Sequence, residues 1–248
     1  RIPAWTAACT SRSTNGATPH GVAPFFGAMA ALAAWVFPAA ALAQAPDLER
    51  AKQIVGGSCF LCHGADGESS SEVFPKLGGQ NAEYLAKQLA NFKSGTRKSP
   101  SMGGMVKDLT PQDIASLGAY FAAKPGTTHE IKDWDLAGVG RYVYLQGNRW
   151  SGVAACQSCH GASGHGTTTL PRLAGQNAIY LEMQIKQFNT RERTNDNEVM
   201  HAIASKMSEL EIKAVSEYLS GQPWRTPLSA SPGPGEKRGR LPAPPFLL

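Results

Sequence analysis

The 248-residue chain is long enough for two domains of ordinary size, and its 42% hydrophobic content allows each a small buried core. Its net charge of +5 comes from the ends: residues 1–43 hold two Arg and no acid, residues 225–248 hold four basic residues and one acid, and residues 44–224 hold 18 of each sign. Because no basic stripe runs through the part expected to fold, the charge pattern excludes a nucleic-acid-binding protein.

The N-terminal region is typical of an export signal. Residues 22–43 carry no charge, follow two arginines and end in small residues, which predicts cleavage after Ala43. Cleavage after Ala45 is less favoured because Pro46 would follow the cut. The alternative is an uncleaved helix that anchors the protein in the inner membrane, although two prolines in the segment disfavour it. We therefore assign residues 1–43 to a signal peptide and expect the mature protein in the periplasm.

Export places the remaining cysteines in an oxidising compartment, where free thiols are rare. Cleavage removes Cys9 and leaves four to be explained together: Cys59, Cys62, Cys156 and Cys159. The second pair of cysteines follows the first pair at an offset of 97 residues. The segment Pro75–Phe92 also matches Pro171–Phe188, at an offset of 96, with ten of eighteen positions identical. A repeat of this length indicates a duplicated small domain.

Each half has the pattern of short helices joined by long loops, without strand alternation, so the predicted class is all-α. The predicted helices lie near Asp47–Val55, Asn81–Lys93, Pro111–Ala123, Asp135–Leu145, Asn177–Asn189 and Glu209–Leu219. The last helix of each half begins with a hydroxyl three residues before an acid, Thr110 with Asp113 and Ser208 with Glu211, as in a capping box.

The pattern divides the chain after the signal into four parts. We predict a first domain over residues 44–126, a linker over 127–134, a second domain over 135–224, and a disordered, basic tail rich in Pro and Gly over 225–248.

The chain contains two copies of the motif CxxCH, which is typical of covalent haem attachment. They are Cys59 to His63 and Cys156 to His160. Two cysteines on one helical turn can both add to the vinyl groups at one edge of a haem, and the next residue's imidazole can then reach the iron. A disulfide or a redox pair does not explain the adjacent His, and a zinc site does not explain a distant Met at matched spacing. The sequence therefore predicts two covalently bound haem c groups.

These motifs resemble those of the class I cytochrome c family, and the tandem arrangement over residues 46–222 resembles that of the dihaem cytochromes c4. The resemblance implies a few short helices around each haem, with His on one side of the iron and Met on the other. It also implies a periplasmic electron carrier of the respiratory chain, working between a cytochrome bc complex or a dehydrogenase and a terminal oxidase.

The repeat selects the sixth iron ligand among several methionines. Met102 plus 98 residues is Met200, whereas Met105 plus 98 is Ile203, and Met207 minus 98 is Leu109. Met102 and Met200 lie 39 and 40 residues after His63 and His160. We predict that these two histidines and two methionines are the axial ligands.

In the family, a proline carbonyl accepts a hydrogen bond from the other ring nitrogen of the ligating His. Pro75 and Pro171, twelve and eleven residues after their histidines, match that position. With both faces of both irons occupied, we expect an electron-transfer protein and no enzyme activity. Three alternatives remain: a dihaem peroxidase, a thiosulfate-oxidising cytochrome, or a haem-bearing subunit of a larger oxidoreductase.

Overall fold

A computed structural model describes residues 45–224, so the predicted signal peptide and C-terminal tail lie outside the described residues. The fold is all-α, as predicted: apart from an isolated bridge between Asn148 and Val153, residues 45–224 contain no strand. The helices of the first half are α1 Leu48–Ile54, α2 Phe60–His63, α3 Ala82–Ser94, α4 Pro100–Val106 and α5 Pro111–Ala122. Those of the second half are α6 Trp134–Gln146, α7 Gln157–His160, α8 Ala178–Asn189, α9 Val199–Ala204 and α10 Glu209–Ser220.

The six predicted helices lie within one residue of their predicted bounds, and four of them begin at a residue whose side chain caps the helix. Asp47 accepts a hydrogen bond from the Arg50 amide at the start of α1, and Asp133 does the same for α6. Both predicted capping boxes form, at the starts of α5 and α10. The short helices α4 and α9, which carry Met102 and Met200, were not predicted.

Each half has its own hydrophobic core around its last helix. In the first half, α5 packs against α1 and α3, and Leu117 and Phe121 are buried in the cluster. In the second half, α10 packs against α6 and α8. Gly140 allows the close crossing of α6 over α10, because a Cβ at this position would lie 1.9 Å from the Ala214 carbonyl oxygen.

The two halves join their CxxCH turns to the preceding helix differently. In the first half, a π-helical turn, Val55–Cys59, runs directly from α1 into α2. In the second half, an irregular loop with the Asn148–Val153 bridge separates α6 from α7. The two turns nevertheless reach the same local geometry.

The halves contact each other through the repeated segment that contains Pro75 and Pro171. Gln80 donates to the Arg172 carbonyl oxygen at 2.8 Å and accepts from the Arg172 amide at 2.7 Å. In the same way, Gln176 donates to the Lys76 carbonyl oxygen at 3.0 Å and accepts from the Lys76 amide at 2.8 Å. Since the repeat equates Gln80 with Gln176 and Lys76 with Arg172, the contact is reciprocal.

Within the described range, none of the helices combines the length and apolar character needed to cross a bilayer.

Candidate haem-binding sites

The two CxxCH motifs form equivalent helical turns. The first Cys of each motif precedes a four-residue helix with right-handed backbone angles, φ −66° and ψ −32° at Cys59 and φ −62° and ψ −33° at Cys156. Gly64 and Gly161 then end the helices with φ of 69° and 76°. The turn therefore holds both thiols and the following imidazole on one short helical segment, as thioether attachment requires.

A proline carbonyl orients each imidazole. Nδ1 of His63 lies 3.0 Å from the Pro75 carbonyl oxygen, and Nδ1 of His160 lies 3.3 Å from that of Pro171. Because a carbonyl only accepts, Nδ1 must carry the proton, which leaves the Nε2 lone pair free for a metal. Burial lowers the pKa of both imidazoles, and the hydrogen bond to proline partly offsets this shift. Both rings therefore favour the neutral form that metal binding needs.

The methionines differ in how exposed their side chains are and in which helix carries them. Met102 is half-buried on α4, which packs against α3, and Met200 is half-buried on α9, which packs against α8. By contrast, the Met105 side chain is 57% exposed. Met207 packs against the core cluster of the second half. The equivalent pair thus lies on equivalent short helices in the two halves.

Four cationic side chains are buried where the halves meet: Lys76, Arg97, Arg172 and Arg193. Glu68 pairs with Lys76 at 3.1 Å, but no carboxylate of residues 45–224 forms an ion pair with the three arginines. Burial lowers the pKa of Arg172 to about 10, and its Nε has no hydrogen-bond partner in the described part of the chain. Because buried unpaired cations are costly, this region fits a cofactor that carries carboxylates, as haem does.

The alternatives for the cysteines fit less well. No disulfide joins the two cysteines of either CxxC in the described part of the chain. No group of three or more His, Cys, Asp or Glu side chains with metal-binding geometry occurs among residues 45–224, which removes the expected donor set of a structural zinc site.

Sequence reasoning missed a polar cluster between the halves. Arg97 donates to Gln88 of its own half at 2.8 Å and to Gln184 of the other at 2.6 Å. Arg193 donates to Gln184 at 2.7 Å and to Gln88 at 3.2 Å. Gln88 matches Gln184 and Arg97 matches Arg193 at the repeat offset of 96, and these identities were the signals that could have indicated a shared role.

His201, which follows Met200 directly, is half-buried. Its Nδ1 lies 2.9 Å from the Phe188 carbonyl oxygen, and its amide donates to Asp196 at 3.0 Å. This side chain is therefore held against the end of α8.

The family model for cytochrome c matches the chain twice, over residues 48–123 and 145–222. The chain belongs to the cytochrome c family. Within this family it is similar to cytochrome c4 of Pseudomonas aeruginosa, with 39% identity over 184 residues, which cover 73% of this chain and 91% of the relative. The cytochrome is therefore of the c4 type: it carries two covalently bound haem c groups and functions as an electron carrier.

Solved structures support the same assignment. The crystal structure of reduced cytochrome c4 from Pseudomonas stutzeri matches with a TM-score of 0.68 and 36% identity, and the match covers 72% of this cytochrome and all of that chain. A second curated relative, from Thiomonas intermedia, is named "Thiosulfate dehydrogenase electron acceptor" and is 34% identical over 202 residues, covering 79% of this cytochrome and 89% of the relative.

Proposed function

We propose that this cytochrome is a periplasmic carrier of single electrons in which two protein ligands hold each iron. His63 and Met102 are the ligands in the first domain, and His160 and Met200 are those in the second. Cys59 and Cys62 bind one haem through thioethers, and Cys156 and Cys159 bind the other. Bound haem supplies the ferric–ferrous couple, which no protein side chain of this cytochrome provides.

The observation that carries this proposal is the equivalence of the two ligand sets. The two histidines bond proline carbonyls at equivalent loop positions, and the two methionines lie on equivalent short helices before a capping box. An enzyme that uses one of two haems for substrate needs a site that can open or a different ligand there. Equivalent His and Met pairs favour transfer at both haems.

The protein's contribution to transfer is a ligand geometry that changes little between oxidation states. The hydrogen bond from Nδ1 to proline keeps each imidazole in one tautomer and one orientation. A thioether ligand opposite His favours the ferrous state, which raises the reduction potential relative to two His ligands. Both haems should thus operate at the high-potential end of a respiratory chain.

The proposal that the protein is not an enzyme is tested by stopped-flow mixing of the fully oxidised and half-reduced forms with peroxide and with thiosulfate. We expect low-spin spectra and no turnover. Turnover in the range of about 1 to 1000 per second, which is typical of enzymes, would establish a peroxidase or a thiosulfate-oxidising cytochrome instead.

As electron donor we propose a dehydrogenase or a cytochrome bc complex, and as acceptor a terminal oxidase. The Thiomonas relative's name supports a dehydrogenase that oxidises sulfur compounds as one donor class. The test is reduction of the oxidised cytochrome by purified thiosulfate dehydrogenase with its substrate. Stable co-purification with one dehydrogenase would favour a fixed haem subunit over a shuttle. The cell fraction that retains the protein would distinguish a free periplasmic form from one attached to the inner membrane.

A further inference from the structure

The two loops that lead to the proposed methionine ligands differ in backbone strain. Arg191, Asn197 and Glu198 have φ of 63°, 52° and 68°, and they are the only non-glycine residues of the described chain with positive φ. All three lie in the loop before Met200. In the first domain, the position equivalent to Arg191 is Gly95, which adopts φ of 77° without a side-chain clash. Strain of this kind persists only where surrounding contacts hold it.

The two helices that carry Met102 and Met200 also differ in how their first turns are capped. In the first domain, Ser99 caps α4 by accepting a hydrogen bond from the Met102 amide at 3.3 Å, and Pro100 is the first helical residue. In the second domain, the side chain of Glu198, which precedes α9, makes no cap, and the His201 amide donates instead to the Asp196 side chain at 3.0 Å. Asn195, in the same loop, uses its side chain for contacts outside this helix.

Asn195 and Arg193 connect the second loop to the first domain. Arg193 donates from Nε to the Asn195 side-chain oxygen at 3.0 Å, and Asn195 donates to Gln88 on α3 at 3.0 Å. Arg193 also donates to Gln88 and to the Tyr84 hydroxyl, both at 3.2 Å. Arg193 and Gln88 are both buried, so water cannot replace these bonds without cost.

One further contact that closes the loop is an exposed ion pair. Arg191 and Glu198, two of the three strained residues, form an ion pair with side chains 44% and 64% exposed. Solvent screens such a pair, and exposed pairs contribute little to stability. The buried bonds to α3 of the first domain therefore support the strained loop together with the contacts that Arg193 and His201 make to α8.

We infer that Gln88 of the first domain positions, through Arg193 and Asn195, the loop that delivers Met200 to the second iron. The inference rests on the proposed assignment of Met200 as a ligand. It makes Met200 the more easily displaced of the two methionines, and it makes its bond to iron dependent on the other domain. The loop before Met102 also reaches the other domain, through Arg97 and Gln184, but glycine, proline and a local cap support it within its own domain, so Met102 depends less on that contact.

The experiment isolates one haem at a time and measures how easily its Met is displaced. In a Met102→Ala background, the sulfur-to-iron charge-transfer band of the ferric spectrum reports Met200 alone, and titration with imidazole displaces that ligand. We expect Gln88→Ala and Asn195→Ala to lower the imidazole concentration at half-loss of the band about tenfold. The neighbouring exposed positions provide matched controls, Lys87→Ala and Thr194→Ala, which should stay within about twofold.

In a Met200→Ala background, the band reports Met102, and Asn195→Ala should leave its titration unchanged. If Gln88→Ala, Asn195→Ala and the two controls lose the band at the same imidazole concentration in the Met102→Ala background, the inference is overturned. The ligand assignment would then remain intact. A Met102→Ala protein that lacks the band, or retains its full intensity, would instead refute the assignment itself. If Gln88→Ala does not accumulate with both haems, Asn195→Ala decides the question, because it removes only a half-buried side chain.

Discussion

Gln80 of the first domain and Arg172 of the second exchange two hydrogen bonds, with the Gln80 amide group acting as both donor and acceptor toward the Arg172 backbone. The equivalent exchange between Gln176 and Lys76 completes a reciprocal pair. The repeated segment that provides the proline carbonyls for both histidines therefore also joins the two domains. Each haem site is built next to the interface with the other.

We predict that Gln80→Ala weakens this interface. The substitution leaves the buried Arg172 amide without its acceptor, which should lower the free energy of unfolding by about 1–3 kcal/mol. Chemical unfolding of the holoprotein, followed by far-UV circular dichroism, measures the change. Gln53→Ala is the matched control, because Gln53 is exposed on α1. Equal losses in the two variants would show that the exchanged bonds contribute nothing specific.

The methionine assignment predicts a paired pattern of substitutions. Met102→Ala and Met200→Ala should each remove half of the sulfur-to-iron charge-transfer band, because each removes one axial ligand. Met105→Ala and Met207→Ala should leave the band intact, since Met105 is exposed and Met207 packs in the core. Loss of half the band in Met105→Ala with none in Met102→Ala would reverse the assignment in the first domain.

The fold followed from local signals, whereas the contacts between domains did not. Capping boxes at Thr110 and Ser208 and the apolar spacing of the helices predicted the long elements, because these signals act within a few residues. The helices α4 and α9, of seven and six residues, are too short to show a helical period. The repeat indicated that Gln80 and Gln176 are equivalent, but equivalence does not reveal that each binds the opposite half.

The capping box of α5 predicts a pH dependence of stability. The Thr110 amide and hydroxyl donate to Asp113, and the Arg50 guanidinium also pairs with it, so these bonds hold the pKa of the carboxyl below its usual range. The unfolded chain therefore takes up the proton first as the pH falls. The stabilisation is fully present well above the unfolded pKa of about 3.9 and is lost as the pH falls through the lower folded value.

Comparison of wild type with Asp113→Asn by chemical unfolding at several pH values measures this contribution. The difference in unfolding free energy should be constant near neutral pH and should shrink below about pH 4. Asp108→Asn serves as the control, because the Asp108 side chain is 88% exposed and its nearest partner is 3.9 Å away. A difference for Asp113→Asn that persists unchanged to low pH would contradict the explanation.

Covalent attachment through both CxxCH motifs predicts a simple mass pattern. The native protein should carry two haem additions, and acid acetone should extract neither, because thioether bonds survive this treatment. The double variant Cys59→Ala, Cys62→Ala should retain only the haem of the second domain. The double variant Cys156→Ala, Cys159→Ala should retain only that of the first. Intact-mass measurement would contradict the assignment if either pair of substitutions left both haems bound.

A redox titration of the holoprotein, followed by its visible spectrum, tests the central claim most directly. If the protein is a dihaem electron carrier, it should take up and release two electrons reversibly, with both haems low-spin in each state. The oxidative and reductive curves should superimpose, because the ligands held by the two domains do not change between states. Uptake of a single electron, or a haem that becomes high-spin on reduction, would contradict this account.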